Sequence, residues 1–116
     1  MFNIFEKCKG GLLYSLSGGR LLLKNEKSIV LEITILPIIS TVVSILFGNI
    51  STFLVLSAIN LAILAAEALN SAIEKTCDLI TTQKNDSIKY AKDAGSFSVF
   101  CIILIYAIYS IHTIIT

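Results

Sequence analysis

Three long apolar runs constrain this chain more than any other feature. Residues 29–47 are apolar apart from one glutamate and several hydroxyl residues, residues 52–73 continue after a short polar turn at 48–51, and residues 94–115 carry no charged side chain. An α-helix needs about 20 apolar residues to cross the ~30 Å hydrocarbon core of a bilayer. We therefore predict an all-α membrane protein whose transmembrane helices occupy residues 29–47, 52–73 and 94–115. We expect the second helix to continue past the lipid to Leu79 or Ile80.

The composition also favours a protein that is embedded in a lipid bilayer. The 116 residues are 55% hydrophobic and 15% charged, with a mean hydropathy of +0.85. A soluble domain of this size has too little polar surface to cover so many apolar side chains. The net charge of +1 does not indicate a nucleic-acid partner. We expect one domain over residues 1–116, with its three cysteines reduced and no removable signal peptide.

The segment before the first span has a different character. Residues 5–27 mix leucines with five basic residues, a pattern typical of an amphipathic helix that lies in the membrane interface. We expect this helix to break or bend at Gly18 and Gly19. Pro37 should kink the first span, or leave a backbone carbonyl for a neighbouring helix to satisfy.

Basic residues also predict the orientation in the membrane. They precede the first span and recur between the second and third spans, whereas the turn at 48–51 has none. The positive-inside rule then places the N-terminus and the second connection in the cytoplasm and the C-terminus outside it. His112, near the end of the third span, is expected to be an interface anchor rather than a ligand.

One face of the second span carries several acids. Glu67, Glu74 and Asp78 are seven and eleven residues apart, which returns them to within roughly 20° of one line on a helix. Asn70 lies about 60° to the side. Intramembrane carboxylates are costly and usually functional. Ion pairing of Glu67 and Glu74 with Lys75 or other lysines to lock helix packing is the alternative interpretation.

Clustered carboxylates need cations, and Mg²⁺ is the simplest choice. Mg²⁺ prefers oxygen ligands, needs one or two protein carboxylates and often shares its coordination with substrate phosphates. Glu26, Glu32 and Asp93 could converge on the same level of the helix bundle. The pattern GxxxxGK[ST] is absent, so no P-loop is predicted, and any ATP site must be built in another way.

Two motifs carry a family resemblance. Residues 67–78 read EALNSAIEKTCD and resemble the E-x-x-N-[ST]-A-[ILV]-E-x-x-x-D pattern of the prokaryotic integral-membrane diacylglycerol kinases. AKDAGS at 91–96 resembles the second motif of that family, and YSLSGGRLLLKNE at 14–26 resembles its N-terminal interfacial helix. With three spans in the same order, the resemblance covers nearly the whole chain. It implies a protein of the bacterial cytoplasmic (inner) membrane.

The resemblance implies a reaction and an assembly. It implies a homotrimer with active sites shared between subunits, which transfers the γ-phosphoryl group of MgATP to diacylglycerol and yields phosphatidic acid. In this comparison Glu67 is the general base on the lipid hydroxyl and Asn70 lies near the γ-phosphate. Glu74 and Glu26 hold the Mg²⁺ ions, and Glu32 lies near the lipid substrate.

The same resemblance implies where the nucleotide binds. Lys92 and Asp93 are expected to contact the nucleotide, and Tyr14 and Ser15 to line the pocket for its base and sugar. ATP and a lipid alcohol are thus the expected substrates, with Mg²⁺ as the cofactor. These roles suit phosphoryl transfer, which depends mainly on positioning and on neutralising charge.

Some positions depart from the family pattern, and other functions stay open. Residues 29–31 are apolar where family members tend to carry a basic residue, and Lys7 or Lys9 must stand for an N-terminal arginine. An undecaprenol kinase of the same fold is the first alternative, although LNSAIE with KDAGS looks more like the diacylglycerol branch. A non-catalytic channel or assembly subunit whose acids line a pore is the second.

Overall fold

The computed structural model describes residues 3–116, which form four α-helices and no strand. The helices are α1 (Ile4–Asn25), α2 (Lys27–Phe47), α3 (Ile50–Ile80) and α4 (Asp86–Ile115). The chain divides into two compact units, Met1–Leu31 and Glu32–Thr116, so that α2 begins in the first unit and continues in the second. Residues 1 and 2 of the predicted domain lie outside the described residues.

The first unit consists of α1 and the start of α2. Asn3 caps α1, because its side chain accepts a hydrogen bond from the Glu6 backbone N–H at 3.1 Å. The helix ends where Glu26 becomes extended and its N–H donates to the Leu22 carbonyl at 2.9 Å. No side chain of α1 is buried. This exposure is compatible with the interfacial helix predicted at 5–27, whose position on a membrane stays a prediction.

The predicted break at Gly18 and Gly19 is wrong. α1 runs without interruption through both residues, and neither has a positive φ. Glycine in a helix interior costs about 0.5–1 kcal/mol relative to alanine, which weakens a helix without ending it.

A very tight turn joins α2 to α3 in the second unit. The Asn49 side chain accepts from the Thr52 N–H at 3.1 Å, and the Thr52 hydroxyl accepts from the Asn49 N–H at 3.4 Å. A Cβ at Gly48 would lie 2.6 Å from the Thr52 hydroxyl oxygen, so the turn depends on glycine there. α3 starts at Ile50 rather than at residue 52, because this reciprocal cap begins the helix early.

α3 and α4 are longer than the lipid requires. α3 contains 31 residues and extends to Ile80, as the sequence predicts. A five-residue connection at 81–85 follows, and Asn85 caps α4 by accepting from the N–H groups of Ser87 and Ile88 at 2.8 and 3.3 Å. α4 therefore begins eight residues before the predicted third span. These extra turns project both helices beyond their most apolar segments.

The core of the second unit joins three helices. Its buried cluster consists of Val43 from α2, Leu56 and Ile63 from α3, and Tyr106 from α4. α2, α3 and α4 are each long and apolar enough to cross a membrane, which confirms an all-α protein with three candidate membrane spans. Most large apolar side chains point outward, as expected where the surrounding solvent is lipid.

Pro37 does not interrupt α2, which is helical on both sides of it. The Tyr106 hydroxyl of α4 donates to the Leu36 carbonyl at 3.1 Å. The carbonyl that Pro37 leaves without an intrahelical donor is that of Ile33, four residues earlier, so this bond tests neither expectation for Pro37, and both stay predictions.

Candidate active site

The acidic stripe lies on one helix. Glu67, Glu74 and Asp78 all belong to the continuous α3, with Glu67 half-buried and the other two exposed. The spacing that aligns them in the sequence therefore aligns them in the structure. Burial of the acid falls toward the C-terminal end of α3.

Glu67 of α3 meets Glu32 of α2. The two carboxyl groups lie within hydrogen-bonding reach of each other. The second oxygen of Glu32 is buried and has no hydrogen-bond partner. The two acids therefore bring α2 and α3 together at one polar point.

Asn70 lies about one turn after Glu67 on α3, and its side chain faces α4. Its Nδ2 donates a long hydrogen bond of 3.4 Å to Glu74 Oε1. Its Oδ1 is buried and has no hydrogen-bond partner. Gly95 of α4 packs directly against this amide, and a Cβ at Gly95 would overlap Oδ1. The glycine lets α4 approach closely enough to enclose the amide.

Two lysines of α4 pair with acids near the loop. Lys92 Nζ lies 2.9 Å from Asp78 Oδ1, and Lys89 Nζ lies 2.5 Å from Asp93 Oδ2. The Asp78 carboxylate raises the pKa of Lys92, first through its hydrogen bond and then through its charge. Together with the connection at 81–85, these residues line an open cleft of about 430 Å³. The cleft is therefore lined by both acidic and basic side chains and is open to solvent.

The remaining predicted site residues belong to the first unit. Tyr14 and Ser15 are exposed on α1, where the Ser15 hydroxyl donates to the Gly11 carbonyl at 2.9 Å. Glu26 is half-buried at the junction of α1 and α2. Their assignment to nucleotide and metal binding stays a prediction.

A groove lies between α2 and α3 and begins at Glu32. It has a volume of about 370 Å³, a size typical of ligand pockets, and Glu32 lies in its wall. Most of the lining is apolar, from residues such as Ile33, Leu36, Leu61 and Leu64. A groove of this kind suits an apolar chain attached to a polar group near Glu32 and Glu67.

Three polar residues in this region were not predicted from the sequence. The Ser40 hydroxyl of α2 hydrogen-bonds both to Asn60 of α3 and to Tyr106 of α4. The sequence feature that could have indicated these contacts is Asn60, an amide near the middle of an otherwise apolar run. Amides at that depth usually bind another helix or a ligand.

The carboxylates near the candidate site suit a magnesium ion that takes most of its ligands from the phosphate groups of a bound substrate. Within residues 3–116, no three His, Cys, Asp or Glu side chains converge on one point. Mg²⁺ commonly uses only one or two protein carboxylates and keeps phosphate and water as its other ligands. Glu74 fits that requirement, because its carboxylate is exposed and receives only one long hydrogen bond from Asn70.

Comparison with known proteins places the chain in a family. A diacylglycerol kinase from a Sinorhizobium species is 32% identical over 63 residues, which cover 54% of this chain and 46% of the relative. The chain thus spans about half the length of the curated relative it matches. No solved structure matches the chain. The sequence model of the prokaryotic diacylglycerol kinase family matches residues 13–114, and the chain therefore belongs to that family.

Proposed function

We propose that the chain phosphorylates diacylglycerol with ATP at the membrane surface and releases phosphatidic acid and ADP. One observation supports this activity above the others: the paired acids Glu32 and Glu67 lie in the membrane-spanning part of the helices, beside an apolar groove. Family membership and the name of the relative support the same chemistry.

Glu67 is the proposed general base. The lipid hydroxyl gives its proton to the Glu67 carboxylate while its oxygen forms a bond to the γ-phosphorus. The bond between that phosphorus and the bridging oxygen breaks, and ADP leaves with the electron pair. Glu32 lies beside Glu67 and is proposed to contact the lipid substrate there.

Asn70 and Glu74 are proposed to face the phosphates. The Asn70 amide has an unused oxygen and a weakly used Nδ2, so a small rotation can turn its N–H toward a phosphate oxygen. Glu74, with Glu26 proposed as a second ligand, would hold Mg²⁺. The metal ion supplies neutralisation of the phosphate charge.

The cleft at the end of α3 and α4 is the proposed nucleotide side. Lys92 can leave its exposed pair with Asp78 to contact a phosphate, since surface ion pairs are readily exchanged. Asp93 is proposed to contact the nucleotide beside it, and Tyr14 and Ser15 to contact the base and sugar. The proposed assembly is a homotrimer that shares its sites, with the N-terminus in the cytoplasm.

The test is transfer of labelled γ-phosphate from ATP to a lipid by the purified protein in mixed micelles. Diacylglycerol and undecaprenol are supplied in parallel, each with Mg²⁺ and with EDTA in excess. The proposal expects Mg²⁺-dependent labelling, chiefly of diacylglycerol. Labelling chiefly of undecaprenol would move the substrate to the prenol class. Failure of the folded protein to label either lipid would contradict the kinase proposal.

A further inference from the structure

The polar groups of Ser40, Asn60 and Tyr106 form a buried hydrogen-bonded cluster inside the three-helix unit. We propose that these three residues are positioning residues, which hold the Glu32 end of α2 against Glu67 and so set the geometry of the acidic pair. The inference rests on the proposed lipid phosphorylation.

The cluster joins three helices through one hydroxyl. Asn60 Nδ2 of α3 donates to Ser40 Oγ at 3.0 Å, and Ser40 Oγ lies 2.7 Å from the Tyr106 hydroxyl of α4. Ser40 and Tyr106 both hydrogen-bond to the Leu36 carbonyl, at 2.8 and 3.1 Å. Ser40 is 0% exposed and Tyr106 is 6% exposed. Buried in this way, the cluster resists exchange with water and orients the helices that it joins.

The spacing connects this cluster to the acidic pair. Glu32 and Ser40 are eight residues apart on one ridge of α2, a separation of about 12 Å along the axis. Glu67 and Asn60 are seven residues apart on one face of α3, a separation of about 10.5 Å. The partners occur in opposite order along the two helices. α2 and α3 therefore run antiparallel and meet at two polar points two turns apart.

Pro37 lies between these two points on α2. Proline lacks a backbone N–H and removes one hydrogen bond from the helix, which makes this turn easier to bend. Bending here would move Glu32 relative to Glu67. The Leu36 carbonyl, at the same turn, is the atom to which Tyr106 and Ser40 bind. Tyr106 of α4 thus holds this turn directly, and Asn60 of α3 holds α2 one turn later through Ser40.

Ser44 provides a matched control. It is also buried on α2, one turn after Ser40, but its hydroxyl donates within its own helix, to the Ser40 carbonyl at 2.7 Å. Ser44→Ala removes a buried hydroxyl without removing a bond between helices. Tyr109→Phe is the corresponding control on α4. Among the described residues, Tyr109 shows no hydrogen bond from its hydroxyl.

The kinetic test compares Tyr106→Phe, Ser40→Ala and the double variant with these controls. At saturating MgATP, each single variant is expected to lose about tenfold or more in kcat/KM for the lipid, since small displacements of catalytic groups are costly. The KM for ATP should stay within about twofold of the wild type. The double variant should lose more than either single variant but less than the product of the two losses, because both substitutions break the Ser40–Tyr106 bond while each alone leaves one further link to α2 in place. Both controls should retain wild-type kinetics.

A merely structural role predicts another pattern. Loss of thermal stability in Tyr106→Phe with unchanged kcat and lipid KM would overturn the inference, as would an equal loss in Ser44→Ala. A rise in the KM for ATP as large as the loss for lipid would overturn it too.

A second measurement does not require activity. Spin labels at the exposed Ile35 of α2 and Leu69 of α3, in a background without Cys8, Cys77 and Cys101, report the distance between the helices. Tyr106→Phe should broaden or shift that distance distribution, and Ser44→Ala should not. An unchanged distribution would overturn the positioning role. If the wild type labels no lipid while the distance still responds, the kinase proposal alone has failed.

Discussion

Gly95 of α4 lies directly against the Asn70 amide of α3, so closely that a Cβ would overlap the amide oxygen. The contact brings the second sequence motif onto the first. AKDAGS contains Gly95, and EALNSAIEKTCD contains Asn70. The two motifs are separated along the chain but form one surface in the folded protein, which gives the glycine of the second motif a physical role.

Gly95→Ala should therefore displace Asn70. The atom in the way is the end of a flexible side chain, so the protein should still fold at a cost of about 1–3 kcal/mol while the amide rotates out of place. We expect transfer activity to fall by up to about 100-fold. Steady-state kinetics measures the loss. Gly19→Ala is the control, since a Cβ there meets no atom within 4 Å, and equal activities of the two variants would contradict the role of this contact.

Lys92→Met should raise the KM for ATP and leave the lipid KM nearly unchanged. Lys92 pairs with Asp78 at the surface, where an ion pair stabilises little, so its removal should scarcely change thermal unfolding. Kinetics at varied ATP checks the expectation. Lys84→Met removes a charge from the same cleft at a position without a predicted role. An unchanged KM for ATP in Lys92→Met would count against the cleft as the nucleotide side.

Gly48→Ala should destabilise the protein without a specific effect on catalysis. The new Cβ would lie within 2.9 Å of three Thr52 side-chain atoms, which belong to the cap of α3. Overpacking of this kind costs about 1–3 kcal/mol. Thermal unfolding in detergent should show a lower midpoint than for the wild type. The tight-turn account is wrong if the midpoint is unchanged and that of Gly18→Ala, where the added Cβ meets no atom within 4 Å, falls instead.

The helical framework was largely predictable from the sequence. Long apolar runs leave few alternatives to membrane-spanning helices, because lipid offers no partner for open backbone groups. The extension of α3 to Ile80 was predicted as well. The predicted break at Gly18 and Gly19 was wrong, because glycine lowers helix stability but ends a helix only where the backbone gains a hydrogen-bond partner in another conformation. Nothing in the sequence offers one there.

Contacts between helices were harder to predict. The alignment of Glu67, Glu74 and Asp78 follows from the helical period alone. The meeting of Ser40, Asn60 and Tyr106 does not, because serine and tyrosine are common in spans and their partners lie on other helices. The register between two helices depends on how their side chains pack together, and the helical period of one sequence segment carries no information about that packing.

The central claim is that Glu67 accepts the proton of the lipid hydroxyl. Glu67→Gln tests it most directly, because the amide has nearly the same shape and can still hydrogen-bond to Glu32, whereas it cannot act as a base. The measurement is kcat for transfer of labelled γ-phosphate to diacylglycerol, with Glu6→Gln on the exposed surface of α1 as the control. We predict a fall in kcat of about 10²- to 10⁴-fold in Glu67→Gln and none in the control. A folded Glu67→Gln protein with wild-type kcat would contradict the account.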